Sequence, residues 1–163
     1  MGAFTTCENC ERESTADSDF CPHCGFLFET GEKVACDAHP LSDAIGVCII
    51  CQTPLCDVCG EMNEDRLFCS EHLDVVVVDE WAGVVTSTDV NDAELARAVL
   101  ESAGFHVQVR DFGSIGFAWD GGGDSSLSRS QLGKPARVFV PVSEYLQARE
   151  TLREWKSSGP IEE

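Results

Sequence analysis

The apolar positions of this chain follow a clear period only in its second half. Trp81–Thr86 reads as a strand. Ser87, Thr88 and Asp89 offer side-chain oxygens that can cap a helix, and Ala93, Ala96, Val99, Leu100 and Ala103 recur behind them at helical spacing. Gly104 predicts where that helix stops, because the residue just past the last turn often takes left-handed φ. Phe105, Val107 and Val109 then alternate with His106, Gln108 and Arg110, a strand with one wet face. Val138, Val140 and Val142 predict another strand. Ser143 is placed to cap a last helix, with Tyr145, Ala148, Leu152 and Trp155 on its buried face.

Between these elements lies the segment 111–134, with six glycines and five serines. A connection of that length inside a compact unit points to function or disorder. Its apolar part, Phe112–Trp119, reads either as a partner-binding patch or as a cover for one end of the sheet. Gly121–Gly123 reads as a loop, because a phosphate-cradling glycine run needs a lysine directly behind it and none occurs before Lys134. The order strand–helix–strand, loop, strand–helix predicts an α+β sandwich of ferredoxin-like type. That region is roughly 80 residues long, near the lower size at which an apolar core suffices unaided.

The first half has no such period. It has cysteines instead, in pairs with two residues between the members: Cys7/Cys10, Cys21/Cys24, Cys36/His39, Cys48/Cys51, Cys56/Cys59 and Cys69/His72. All ten cysteines and two of the four histidines are used. A two-residue gap lets both side chains of a tight turn reach one cation, so twelve ligands predict three tetrahedral zinc ions. The first four, Cys7, Cys10, Cys21 and Cys24, read as a zinc ribbon over residues 1–31; iron is the rival for four thiolates. Gly25 follows its second pair, where positive φ turns backbone N–H groups towards sulfur. Glu11 at the matching place after the first pair is less suited. The polar spacer between the pairs suits a short hairpin or a loop.

The other eight ligands, within 32–74, are separated by gaps of eight, four and nine residues. Pairs only four residues apart are more readily shared between two ions than gathered on one. Cross-bracing then puts Cys36, His39, Cys56 and Cys59 on one zinc and Cys48, Cys51, Cys69 and His72 on another. Consecutive ligation is the alternative. The order Cys-x2-His, Cys-x2-Cys, Cys-x2-Cys, Cys-x2-His resembles a B-box zinc finger, and Val47–Cys59 with Leu67–His72 is similar to B-boxes of bacterial and archaeal proteins. The chain departs from the eukaryotic form in ending on Cys69 and His72. A RING domain matches less well, so ubiquitin-ligase activity does not carry over.

After a linker at 75–79, residues 80–157 resemble the prokaryotic signal-transducing domain, with a tail at 158–163. The resemblance is carried by Val84–Asp89, by Asp92–Ala96 with Leu100, by Ala103–Phe105 and by Val138–Val142. It implies a fold related to nitrogen-regulatory PII proteins and no known activity.

The formal charge of −18 changes the functional picture. The zinc half holds only Arg12, Lys33 and Arg66 as cations, so it lacks the basic patch that neutralises phosphates, and nucleic acid is not expected. Met1–Phe20 is acidic without an apolar run, so no signal peptide is expected, and Val75–Val78 is too short to span a bilayer. Reduced thiolates then fit a cytoplasmic protein better than a disulfide framework. His23 and His106 read as surface residues. Each zinc can be closed by four protein ligands, which leaves no open position for catalysis. The expectation is a non-enzymatic adaptor for a protein partner, with Ile49, Ile50, Pro54, Leu55 and Val58 as candidate contacts, of which some must pack the small core of the B-box. The alternative is a small-molecule or nucleotide sensor built on the C-terminal domain.

Overall fold

The computed structural model describes residues 2–29, 32–110 and 135–159. They fall into two compact units that divide between Val75 and Val76. The segment 111–134, with Phe112–Trp119 and Gly121–Gly123, lies outside the described residues.

In the first unit three hairpins are too short to persist alone. Strand β1 (Phe4–Thr6) pairs with β2 (Glu13–Thr15), β3 (Gly46–Val47) with β4 (Pro54–Leu55), and β5 (Glu61–Asn63) with β6 (Arg66–Phe68), all antiparallel. The first hairpin does not form within the spacer. It straddles the Cys7/Cys10 pair, because that turn reverses the chain and brings its flanks together. β3 and β4 straddle Cys48/Cys51 likewise, and a bridge between Phe20 and Leu27 straddles Cys21/Cys24.

The ribbon segment and the segment after Glu32 are joined by backbone. Val47 N–H donates to the Gly25 carbonyl at 2.7 Å and Leu67 N–H to the Cys24 carbonyl at 2.9 Å. Phe26 and Gly46 form an antiparallel bridge. Two glycines make this approach feasible. A Cβ on Gly25 would lie 2.1 Å from the Val47 oxygen, and one on Gly46 would lie 2.5 Å from the Gly25 oxygen. The core around the seam is small: Val47, Ile49, Ile50, Leu55, Leu67 and Phe68, with the cysteines. Three of the expected partner contacts, Ile49, Ile50 and Leu55, are therefore core residues. Pro54 is half-buried and only Val58 stands well out.

The second unit is a mixed α/β body. Its sheet has the order β7 (Val77–Val78), β8 (Trp81–Ser87), β10 (Ala136–Pro141), β9 (Gln108–Arg110), with all neighbours antiparallel. Helix α1 (Val90–Ser102) and helix α2 (Tyr145–Ser157) touch each other and both pack on β8 and β10, so they share one face. Ala82, Ala93, Ala96, Leu100, Val138, Val140, Ala148 and Leu152 are buried there.

Several local expectations hold. Asp89 caps α1 by accepting from Asn91 N–H at 2.8 Å. Gly104, at φ 91°, ends it with paired bonds from Gly104 N–H to Glu101 and from Phe105 N–H to Leu100, the double closure that needs a left-handed residue.

Other expectations shift. The strand after Gly104 is shorter than its alternation, because Phe105 N–H is spent on the helix end and His106 N–H on Glu144. Val142 and Ser143 lie in a 3-10 turn, and α2 begins without a side-chain cap from Ser143. The Val142 N–H instead donates to Glu80, which ties that turn to the β7–β8 hairpin. Val77 and Val78, expected in the linker, pair with β8 around a two-residue loop in which Asp79 takes φ 55°. Burial of Val77 favours that strand over a free linker.

Gly25→Ala forces both a left-handed alanine and a backbone clash, and is expected to destabilise the first unit by about 2–4 kcal/mol. Gly104→Ala meets no atom within 4 Å, so only the φ term applies, about 1–2 kcal/mol in the second unit. Denaturant titration read by zinc release for the first and by helical circular dichroism for the second checks this ranking.

Candidate metal centres

Three of the cysteine turns are built the same way, and a fourth shares part of the pattern. The first cysteine's N–H donates to the carbonyl five residues on: Cys7 to Arg12, Cys21 to Phe26, Cys48 to Thr53. The residue after the second cysteine donates back to the first: Glu11 to Cys7, Gly25 to Cys21, Gln52 to Cys48, Gly60 to Cys56. This wraps the chain around a point that both sulfurs face. Glu11, Gly25 and Gln52 take φ 58°, 85° and 59°. Glu11 thus adopts the glycine-like conformation despite its side chain. The fourth turn closes at Gly60 without positive φ, and a Cβ there would meet Leu67 Cδ1 at 2.7 Å.

The twelve predicted ligands come together in three groups of four. They are Cys7, Cys10, Cys21 and Cys24; Cys36, His39, Cys56 and Cys59; and Cys48, Cys51, Cys69 and His72, with all ligand atoms of a group within 4.8 Å of one another. The first and third pairs of the eight-ligand segment therefore share one centre, and the second and fourth share the other. Cross-bracing, not consecutive ligation, is what the chain forms.

The separations fit zinc. Tetrahedral Zn–S bonds of about 2.3 Å place sulfurs about 3.8 Å apart, and a Zn–N bond of about 2.0 Å places sulfur and nitrogen about 3.5 Å apart. Cys7 and Cys24 are 3.6 Å apart, Cys10 and Cys21 3.6 Å, Cys36 and Cys59 3.7 Å, and Cys51 and Cys69 3.9 Å. His39 Nδ1 lies 3.5 Å from Cys56 and 3.0 Å from Cys59, and His72 Nδ1 lies 3.8 Å from Cys48 and 3.2 Å from Cys69. A disulfide needs about 2.05 Å, and all ten cysteines are free. Three zinc ions fit these sets, with Nδ1 the ligating nitrogen of each imidazole.

The electrostatics of the sulfurs favours a cation among them. Burial and the facing sulfurs of Cys36 and Cys56 push the Cys59 thiol up to about 12. Burial also raises Cys36, yet hydrogen bonds at Cys56 and His39 outweigh it and bring that thiol down to about 6. Burial pushes Cys24 far up, with Cys7 and Cys21 adding to it. A cation among the sulfurs offsets the burial and mutual repulsion that raise Cys24 and Cys59, so its binding releases protons and couples to folding. Thr53 Oγ1 is 3.1 Å from Cys51 Sγ and can donate to it when that sulfur is a thiolate, a support from outside the ligand set.

The two remaining histidines also have partners. His23 is half-buried, with Nε2 3.2 Å from the Glu13 carbonyl. His106 is exposed as expected, but Glu144 grips it twice: Oε2 accepts from its backbone N–H at 3.0 Å, and Oε1 lies 2.7 Å from Nδ1. Its partner is 38 residues away, too far for sequence spacing to signal it. Among the described residues no helix is long and apolar enough to cross a membrane.

Comparison with protein-family models, with curated proteins and with solved structures finds no match to this chain. The assignment of the centres therefore stands on their geometry.

Two outcomes check it. In cadmium-113-substituted protein, one resonance should correlate with Cys36, Cys56 and Cys59, and another with Cys48, Cys51 and Cys69; a resonance linking Cys36 to Cys48 contradicts cross-bracing. Gln52→Gly and Glu11→Gly relieve left-handed backbone at exposed positions. Each should stabilise the zinc-loaded unit by roughly 0.5–1 kcal/mol in denaturant titration.

Proposed function

We propose that this chain is a non-enzymatic adaptor in prokaryotic signalling or regulation, with zinc holding a protein-binding surface. The observation that carries this reading is closure. Each metal set has four protein ligands, whereas catalytic zinc keeps a position for water or substrate. Zinc here acts as scaffold: it holds loops that have little core of their own.

The cross-braced grouping supports a B-box-type module over 32–74, beside a zinc ribbon over 1–31. The antiparallel order β7-β8-β10-β9 with both helices on one face supports a ferredoxin-like sandwich over 80–157. There β7 stands at the edge next to the first strand of the β–α–β–β–α path. A PII-like regulatory role follows only from that resemblance.

Charge favours a protein partner over nucleic acid. Of the cations in the zinc unit, Lys33 pairs with Asp43 at 2.8 Å and Arg66 lies 4.0 Å from Glu64. Val58, 76% exposed in the turn between Cys56 and Cys59, and the exposed Met62 on β5 offer apolar contact area on metal-braced backbone.

Affinity capture from the native host tests the reading. The zinc-loaded chain should retain a specific protein. Val58→Asp should lose that protein while keeping three zinc ions by native mass spectrometry, and Cys56→Ser should lose both the partner and zinc. Retention of the partner by a fully chelated chain would sink the proposal. Empty capture with thermal stabilisation of the second unit by nucleotides would favour a sensor.

A further inference from the structure

Two of the three centres use the same donors, three sulfurs and one imidazole Nδ1. Any difference in how they hold zinc must come from their surroundings. Around Cys48, Cys51, Cys69 and His72 the surroundings are core. His72 is 4% exposed, Cys48 is fully buried, and the run Val47–Ile50 is buried with it.

The centre of Cys36, His39, Cys56 and Cys59 is different. His39 is exposed, the one exposed ligand among the twelve. Every residue from 37 to 43 is exposed, and between 32 and 45 only Cys36 is buried. This arm gains almost nothing from apolar burial, which is proportional to the area removed from water. Among the described residues, two backbone hydrogen bonds anchor it to the rest, from Asp37 N–H to Pro54 and from Ile45 N–H to Leu55. Others are internal, from Cys36 N–H to Ser42, from Ser42 N–H to His39 and from Ala44 N–H to Val34. The Lys33–Asp43 pair is exposed on both sides, where water and salt screen it.

The other half of this centre does not depend on the ion in the same way. Cys59 and Gly60 N–H both donate to the Cys56 carbonyl, and Gly60 is backed by Leu67. Losing the ion therefore frees the arm and leaves the Cys56/Cys59 turn standing. The seam through Gly25, Val47 and Leu67 involves neither Cys36 nor His39.

The geometry points to a division of labour: the centre of Cys36, His39, Cys56 and Cys59 is an exchangeable zinc site. Residues 32–45 order and disorder with its occupancy, while the other two centres stay filled. The exchange partner is a competing chelating ligand of small size, which reaches the ion on the His39 side. Zinc leaves as Zn²⁺ to the competing chelator, without redox change. The arm carries Val34, Leu41 and Ile45 as exposed apolar residues, so their fixed arrangement lasts only while zinc is supplied. An interaction that reads them is conditional on zinc.

Substoichiometric EDTA added to the full zinc-loaded chain tests this, with ions counted by native mass spectrometry and backbone amides followed by NMR. The first ion should leave at least about tenfold faster than the other two, the signature of a local opening cheaper than global unfolding. Amides of Val34–Ile45 should collapse to random-coil positions at that step, with Gly25, Val47 and Leu67 unmoved. Departure of all three ions together overturns the proposal, as does a first loss that moves Gly25 or Val47 while the arm stays put. His39→Ala should hold two zinc ions with the Leu67 amide at its native position; loss of all zinc from that variant also overturns it.

Discussion

Coordination of a cation by sulfur is the interaction on which the first unit depends. Its strands are two or three residues long, and among the described residues its buried apolar core is six side chains besides the cysteines. Neither could offset the conformational entropy of some seventy ordered residues. Without an ion the sulfurs are poor partners for one another, because burial and the neighbouring sulfurs raise the Cys24 and Cys59 thiols and disfavour their thiolates. A divalent ion reverses both effects at once: it supplies the charge that the thiolates need and fixes the turns that carry them.

The same turn, repeated, is how a sequence with little apolar content builds a rigid surface. Each repeat closes two backbone bonds around a cysteine pair and directs both sulfurs to one point. Leu67 then links centres that the sequence keeps apart. Its N–H reaches the Cys24 carbonyl and its carbonyl accepts from Ile49, so one residue ties the ribbon centre to the buried cross-braced centre. Exposure is unequal as a result. The two centres beside that residue share the core, and the third is left at the rim with an arm of exposed residues.

The second unit follows the other route to stability. Val138, Val140, Leu100, Ala148 and Leu152 supply a continuous apolar layer between sheet and helices. Helix α1 has both ends satisfied, by Asp89 at the start and by the glycine closure at Gly104. Glu144 adds a long-range tie to His106 from the start of α2, and His106 in turn lowers the Glu144 carboxyl relative to its usual range.

Much of this was legible because the signals are local. A two-residue gap between ligands specifies a turn, so all twelve ligands could be named from spacing alone. A 3.6-residue period and a glycine at the right place specified α1 and its end. Spacing also favoured cross-bracing but left consecutive ligation open, since which pairs meet is a matter of chain path and not of any one turn. The seam could not be read at all: nothing near Gly46 announces that its missing Cβ makes room for the Gly25 oxygen. Nor could sequence show that Ile49, Ile50 and Leu55 are core while Val58 is surface, or that Val77 joins a sheet edge. By itself the sequence determined the donors, their number and the helical period, because each depends on residues a few positions apart. Only the tertiary structure decided which pairs share an ion and which ion lies exposed, because burial and close approach depend on segments tens of residues apart.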